Sequence, residues 1–196
     1  MRLAPSYPIV TPRLRLQPVT EADVPELLSY RGREDVCRYL PFPPMTREVL
    51  LARLAAGLDR TEITGEGQAL TLGVRLESSG ALPSDTLIGD VVLFFHSATH
   101  RSGELGYVFA PEAAGHGYAT EACRAVLGLA FGPLALHRVS ARLDARNSPS
   151  DRLARRLGMR REAHLVEDEM FKGEWSDTVV FGLLDREWRA VHGRAQ

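Results

Sequence analysis

Lysine is almost missing from this 196-residue chain. Of its 24 lysines and arginines only Lys172 is lysine. A phosphate loop of the Gly-Lys-Ser or Gly-Lys-Thr kind is therefore excluded. Cysteine is scarce as well: Cys37 and Cys123 stand far apart and form no CxxC pair, so a reduced compartment is the simplest reading. No apolar run approaches membrane-spanning length, and no basic-then-apolar leader opens the chain, so a cytoplasmic location is expected. Net charge is −1, which removes any overall attraction to nucleic acid. The arginines are spread along the whole chain, as a GC-rich coding bias would produce. A surface suited to phosphate, which arginine binds as a bidentate fork, is the other reading. What remains is ordinary for a globular protein: 44% hydrophobic and 25% charged residues, enough for one domain over residues 1–196 with a sizeable core.

The most informative segment is Pro111-Glu-Ala-Ala-Gly-His-Gly-Tyr-Ala-Thr-Glu-Ala122. Gly115 and Gly117 stand between an expected strand, Leu105–Phe109, and a helix beginning near Tyr118. The first N–H groups of a helix have no intrahelical acceptor. Glycine permits positive φ and close approach of a ligand to the backbone. The helix dipole adds partial positive charge, so the turn suits a phosphate or diphosphate. A tight turn without a ligand would use the same letters. A dinucleotide fingerprint would need glycine where Thr120 stands, so that reading fails.

Periodicity supplies the rest of the outline. Arg13–Pro18 alternates as a half-buried strand. Thr20 can cap a helix carrying Glu21 and Asp23 in its first turn and burying Val24, Leu27 and Leu28. Three prolines make Tyr39–Met45 an irregular loop, and a second helix is expected over Arg47–Leu58. Strands follow near Ala69–Glu77, Thr86–Phe95 and Glu104–Phe109. A helix over Tyr118–Phe131 should bury Ala122, Val126, Leu129 and Ala130 and end at Gly132-Pro133. After a strand at His137–Asp144 comes a short helix with Ser148 as N-cap, Pro149 first and a stop at Gly158. Strands near Arg160–Phe171 and Ser176–Leu184 close the chain. His96 and His100 have helical metal spacing, but they fall on strand and loop without a third ligand, so no metal is expected.

The loop segment resembles the acyl-CoA diphosphate loop of the GNAT N-acetyltransferases, and more narrowly their RimJ/RimL branch, which acetylates N-terminal amines of ribosomal and other proteins. Further stretches carry the resemblance in order: Thr11-Pro-Arg-Leu-Arg-Leu, Leu87-Ile-Gly-Asp-Val, Gly103-Glu-Leu-Gly-Tyr, Asn147-Ser-Pro-Ser, Gly173-Glu-Trp-Ser-Asp177 and Asp185-Arg-Glu-Trp188. Glu112 stands where the wider superfamily prefers Gln or Arg, and acid there is common in this branch. The resemblance implies an α/β (α+β) fold: one GNAT-like domain whose mixed, mostly antiparallel sheet of about seven strands splays in the middle and carries about four helices.

It also implies acetyl-CoA as cofactor and an amine acceptor, a protein N-terminus above all. A small amine (polyamine, aminoglycoside or amino acid) and a non-catalytic acyl-CoA-binding module are the alternatives. Tyr107, Val108 and Phe109 would supply the strand edge for the pantetheine arm and a backbone N–H for the developing oxyanion. Gly115, His116, Gly117, Tyr118, Ala119 and Thr120 would cradle the diphosphate. Asn147 would bind the pantetheine arm, and Ser150 would return a proton to the thiolate, although both are also good helix-start residues. Glu169 is expected as base through water, with Glu104 as its rival. Arg152, Arg155 or Arg156 would meet the 3′-phosphate, Arg152 foremost, or else decorate a solvent-facing helix. Trp175 and Trp188 should pack, and Phe42, Pro43 and Met45 could wall the acceptor path or equally pack in the core. Oligomeric state is open, a homodimer being the commonest assembly.

Overall fold

The computed structural model describes residues 1–77 and 82–193; the last three residues of the expected 1–196 domain lie outside them. Among the described residues eight strands form one sheet: β1 (Ile9–Val10), β2 (Leu14–Pro18), β3 (Ala69–Leu76), β4 (Leu87–Ser97), β5 (Ser102–Phe109), β6 (Arg138–Asp144), β7 (Arg160–Phe171) and β8 (Glu174–Leu184). Their order is β1-β2-β3-β4-β5-β6-β8-β7. Every pair is antiparallel except β5 with β6, which run parallel. That pair is matched only from Ser102↔Arg138 to Glu104↔Ser140. Beyond Glu104 the two strands diverge, which is the splay the resemblance implied.

Among the described residues six α-helices cover the sheet: α1 (Val24–Arg31), α2 (Glu34–Cys37), α3 (Arg47–Arg53), α4 (Tyr118–Phe131), α5 (Ser148–Arg156) and α6 (Asp185–His192). Strand and helix counts exceed the expected seven and four because β1, α2 and α6 are too short or too polar to show a clear apolar period. α4 buries Ala122, Cys123, Val126, Leu127, Ala130 and Phe131 against one face, with Leu129 only partly covered. α1 and α3 bury Val24, Leu27, Tyr30 and Leu50 in a second cluster with Leu87 and Val108. The second expected helix ends early, at Arg53. A wider turn over Leu54–Leu58 replaces its last part because Gly57 takes φ 101°.

Phe42 and Met45 join that second cluster, the core reading of the two. Arg31 explains why. Its Nη2 lies 2.5 Å from Oδ1 of fully buried Asp90, and the Tyr30 hydroxyl donates to Asp90 at 2.7 Å. The guanidinium, neutralised there, offers its face to the Phe42 ring at 5.5 Å and lies against the Met45 sulfur. Trp188 packs on Phe131 as expected. Trp175 does not pack: it is 57% exposed opposite Met170 on the β7–β8 hairpin.

Candidate active site

A cleft of about 1490 Å³ opens where β5 leaves β6. Ala110 donates its N–H to Ile88 of β4 at 2.9 Å, so strand alternation turns the N–H groups of Tyr107 and Phe109 the other way, into the gap. No β6 partner meets them there. An unpaired strand edge of this kind can hold an extended amide-bearing chain by β-type hydrogen bonds.

At the far end of β5 the chain makes one 3-10 turn, Pro111–Ala113, and enters α4 through Gly115 and Gly117. Their φ values, 83° and 81°, are left-handed and suit glycine. No side chain caps α4. The N–H groups of Tyr118, Ala119 and Thr120 therefore start the helix without intrahelical acceptors, and the three residues line the cleft. This uncapped, glycine-opened helix start fits the diphosphate of coenzyme A.

The opposite wall comes from the turn after β6. Asn147, not Ser148, is the N-cap of α5: its Oδ1 accepts the Ser150 N–H at 3.2 Å. Ser148 and Pro149 then occupy the first helical positions. Asn147, Ser150 and Arg152 all line the cleft. Tyr107 crosses it, its hydroxyl donating to the Ser150 carbonyl at 3.3 Å. Burial pushes the Tyr107 phenol well above its ordinary value, so it remains a donor at neutral pH.

Of the cofactor residues named from sequence, His116 and Arg155 are absent from the lining. The His116 ring stacks on Tyr118 at 5.4 Å instead. Three arginines, Arg124, Arg152 and Arg156, reach the cleft and, among the described residues, pair with no carboxylate. Arg155 is bound to Asp151 at 2.6 Å, which removes it from the expected set.

A smaller cavity of about 160 Å³ lies near the fork of β5 and β6. Glu104 and Glu169 both line it, with Arg142, Asp144, Ser176 and Thr178. Arg142 Nη2 sits 2.7 Å from Asp168 and 3.4 Å from Glu169, so the tighter pairing leaves Glu169 the less committed carboxylate. His96 Nε2 lies 3.4 Å from Glu104. Burial works against the charge of Asp144, yet hydrogen bonds from Arg146 hold its carboxyl below the usual range.

Tyr39 lines both cavities. Sequence reasoning missed it, because a tyrosine beside a proline-rich loop carries no signal of its own. Arg142 was missed too, since its meaning comes only from the cross-strand position beside Asp168 and Glu169.

Residues 13–160 match the family model described as an acetyltransferase (GNAT) domain. An uncharacterized N-acetyltransferase of Bacillus subtilis, YnaD, is 28% identical over 185 residues, covering 92% of this chain and 98% of YnaD. YdaF of the same organism, whose name carries a provisional assignment to ribosomal N-acetylation, is 33% identical over 110 residues, 56% of this chain and 60% of YdaF. Among solved structures, spermidine N-acetyltransferase from Vibrio cholerae in complex with CoA and spermine superposes with a TM-score of 0.76 at 21% identity. It covers 91% of this chain and 99% of that one, a likeness of fold. The chain belongs to the GNAT acetyltransferases: it is an acyltransferase that uses acetyl-CoA to acetylate an amine.

Proposed function

We propose that this enzyme is of the RimJ/RimL type and acetylates protein N-terminal α-amines by direct attack in a ternary complex, within one domain spanning residues 1–196. The observation that carries the reading is the acidic cavity beside the donor cleft, joined to it by Tyr39. Its volume, about 160 Å³, is below the roughly 300–1,000 Å³ of sites that enclose a drug-sized ligand. It can admit an amine and the first atoms behind it, leaving the rest of a polypeptide outside. YdaF, by its name, supports the same acceptor class.

Bound acetyl-CoA supplies an activated acyl group as a thioester. In this proposal the Gly115–Thr120 main chain holds the diphosphate, and the Tyr107–Phe109 edge with the Asn147 amide aligns the pantetheine arm. The N–H groups facing the gap are placed to donate to a developing oxyanion. Removing one such donor typically costs about 3 kcal/mol of transition-state stabilisation. Glu169 takes the proton of the incoming ammonium through water, while Glu104, across the cavity, holds its charge. The Ser150 hydroxyl delivers a proton to the departing thiolate and regains one, through water, from the nitrogen as the amide forms. Arg124, Arg152 and Arg156, paired with no carboxylate among the described residues, would meet the 3′-phosphate.

A second reading, a small polycationic acceptor such as a polyamine, is favoured by the excess of carboxylates in the cavity and by the spermine-bound relative. Acetyl-CoA turnover with a panel of N-terminal peptides and small amines, read by product mass, decides between the two. Acetyl groups on peptide α-amines support the first reading. Turnover with polyamines alone would replace it with the second.

A further inference from the structure

Two stretches more than a hundred residues apart in the sequence meet on the α4 turn. Glu121, in the first turn of α4, accepts the Thr11 hydroxyl at 2.7 Å and the Arg13 main-chain N–H at 3.0 Å on one oxygen. Its other oxygen takes Nε and Nη2 of Arg13 at 2.7 and 2.6 Å. The same guanidinium continues into the turn. Nη1 donates to the His116 carbonyl at 2.9 Å, and the charge lies 4.8 Å from the Tyr118 ring centre. Nη2 lies 3.5 Å from where a Cβ on Gly117 would stand. Arg13 thus touches or borders each of residues 116–118.

A turn built on two glycines has much conformational freedom to lose when a ligand orders it. Fixing the turn beforehand removes that loss from the binding step. Arg13 is suited to the task because its planar fork can engage a carboxylate and a carbonyl together, which a lysine ammonium does less well. Its anchor, Glu121, is the largely covered hub of the contact. Burial raises the Glu121 pKa, but hydrogen bonds from Thr11 and Arg13 outweigh it and keep the carboxyl below its ordinary value, charged at neutral pH.

We infer that Arg13, seated by Thr11 and Glu121, is a positioning residue that holds the 115–118 turn in the shape that receives the cofactor's diphosphate. The inference deepens the reading of that turn as a diphosphate cradle and rests on it. It makes a selective prediction, because only a donor that carries the diphosphate can sense the turn.

The test compares acetyl-CoA with acetylpantetheine, a thioester lacking the diphosphate and nucleoside, in wild-type enzyme, Arg13→Ala and Arg13→Lys. Wild type is expected to prefer acetyl-CoA strongly. Arg13→Ala should raise KM for acetyl-CoA on the order of tenfold or more, as misplacement of binding groups does. It should leave kcat/KM for acetylpantetheine within about twofold. Arg13→Lys, which keeps the charge and helps if the alanine variant folds poorly, should recover part of the loss. Equal loss with both donors, or none with acetyl-CoA, overturns the inference. A wild type indifferent to the diphosphate overturns the cradle reading itself.

Discussion

Glu104 on β5 and Glu169 on β7 line one cavity of about 160 Å³, although β6 and β8 lie between their strands in the sheet. The pairing gives an ordered kinetic prediction. Glu169→Gln should lower kcat by about 100-fold, the scale of one positioned base. Glu104→Gln should act mainly on KM for the acceptor. Steady-state kinetics with a saturating donor measures both. Wild-type kcat in both variants would take the two carboxylates out of the proton path.

Gly117 sits at φ 81°. A methyl group there would find room, since the nearest atom is Arg13 Nη2 at 3.5 Å. The cost of Gly117→Ala is therefore backbone conformation, roughly 1–2 kcal/mol. Each kcal/mol corresponds to about 2–4 °C of Tm in a chain of this size. Calorimetry should show that fall together with weaker acetyl-CoA binding. A variant with lowered Tm and unchanged CoA affinity would mean that the cofactor does not read the turn.

Asn147 allows its two roles to be separated. Its Oδ1 caps α5 through the Ser150 N–H at 3.2 Å, and an aspartate can do the same. Asn147→Asp should keep the wild-type Tm yet raise KM for acetyl-CoA about tenfold, having lost the amide donor proposed for the pantetheine arm. Asn147→Ala should also lose about 1 kcal/mol of stability as the cap goes. If Asn147→Asp binds acetyl-CoA like wild type, the residue is a cap and nothing more.

Much of the molecule was legible in the letters for physical reasons that can be named. The α4 helix announced itself because its apolar residues repeat at helical spacing, and its start because only glycine sits comfortably at φ 83° and 81°. The 39–45 loop was legible from its prolines. Short or polar elements were not: α2 has four residues, and no residue of α6 is fully buried. Phe42 had two readings, wall or core, because apolarity alone cannot say that a buried arginine will hold a ring. Ser148 was taken for the cap because Ser-Pro favours a helix start as much as Asn-Ser does. Thr11, Arg13 and Glu121 stood in the matched stretches, but pairing residues so far apart requires the fold.

The thiols give a prediction independent of the site. Cys37 and Cys123 are both buried and unpaired. Burial pushes both thiols up, Cys123 well above its ordinary value of about 9. A thiol reagent at neutral pH should react with neither until the protein unfolds. The sign for stability follows by linkage. Below the ordinary thiol value, folded and unfolded chains both hold the proton. As pH rises past about 9 the unfolded chain releases it first, so stability should fall on the alkaline side. Rapid labelling of Cys123 in native protein would contradict the packing of α4 on the sheet.

The most direct measurement is a crystal structure with CoA and an N-terminal peptide. The account predicts the diphosphate within hydrogen-bond distance of the 115–120 amides, the pantetheine arm along Tyr107–Phe109, and the peptide amine in the cavity between Glu104 and Glu169. A diphosphate bound away from that turn, or an amine entering elsewhere, would contradict it.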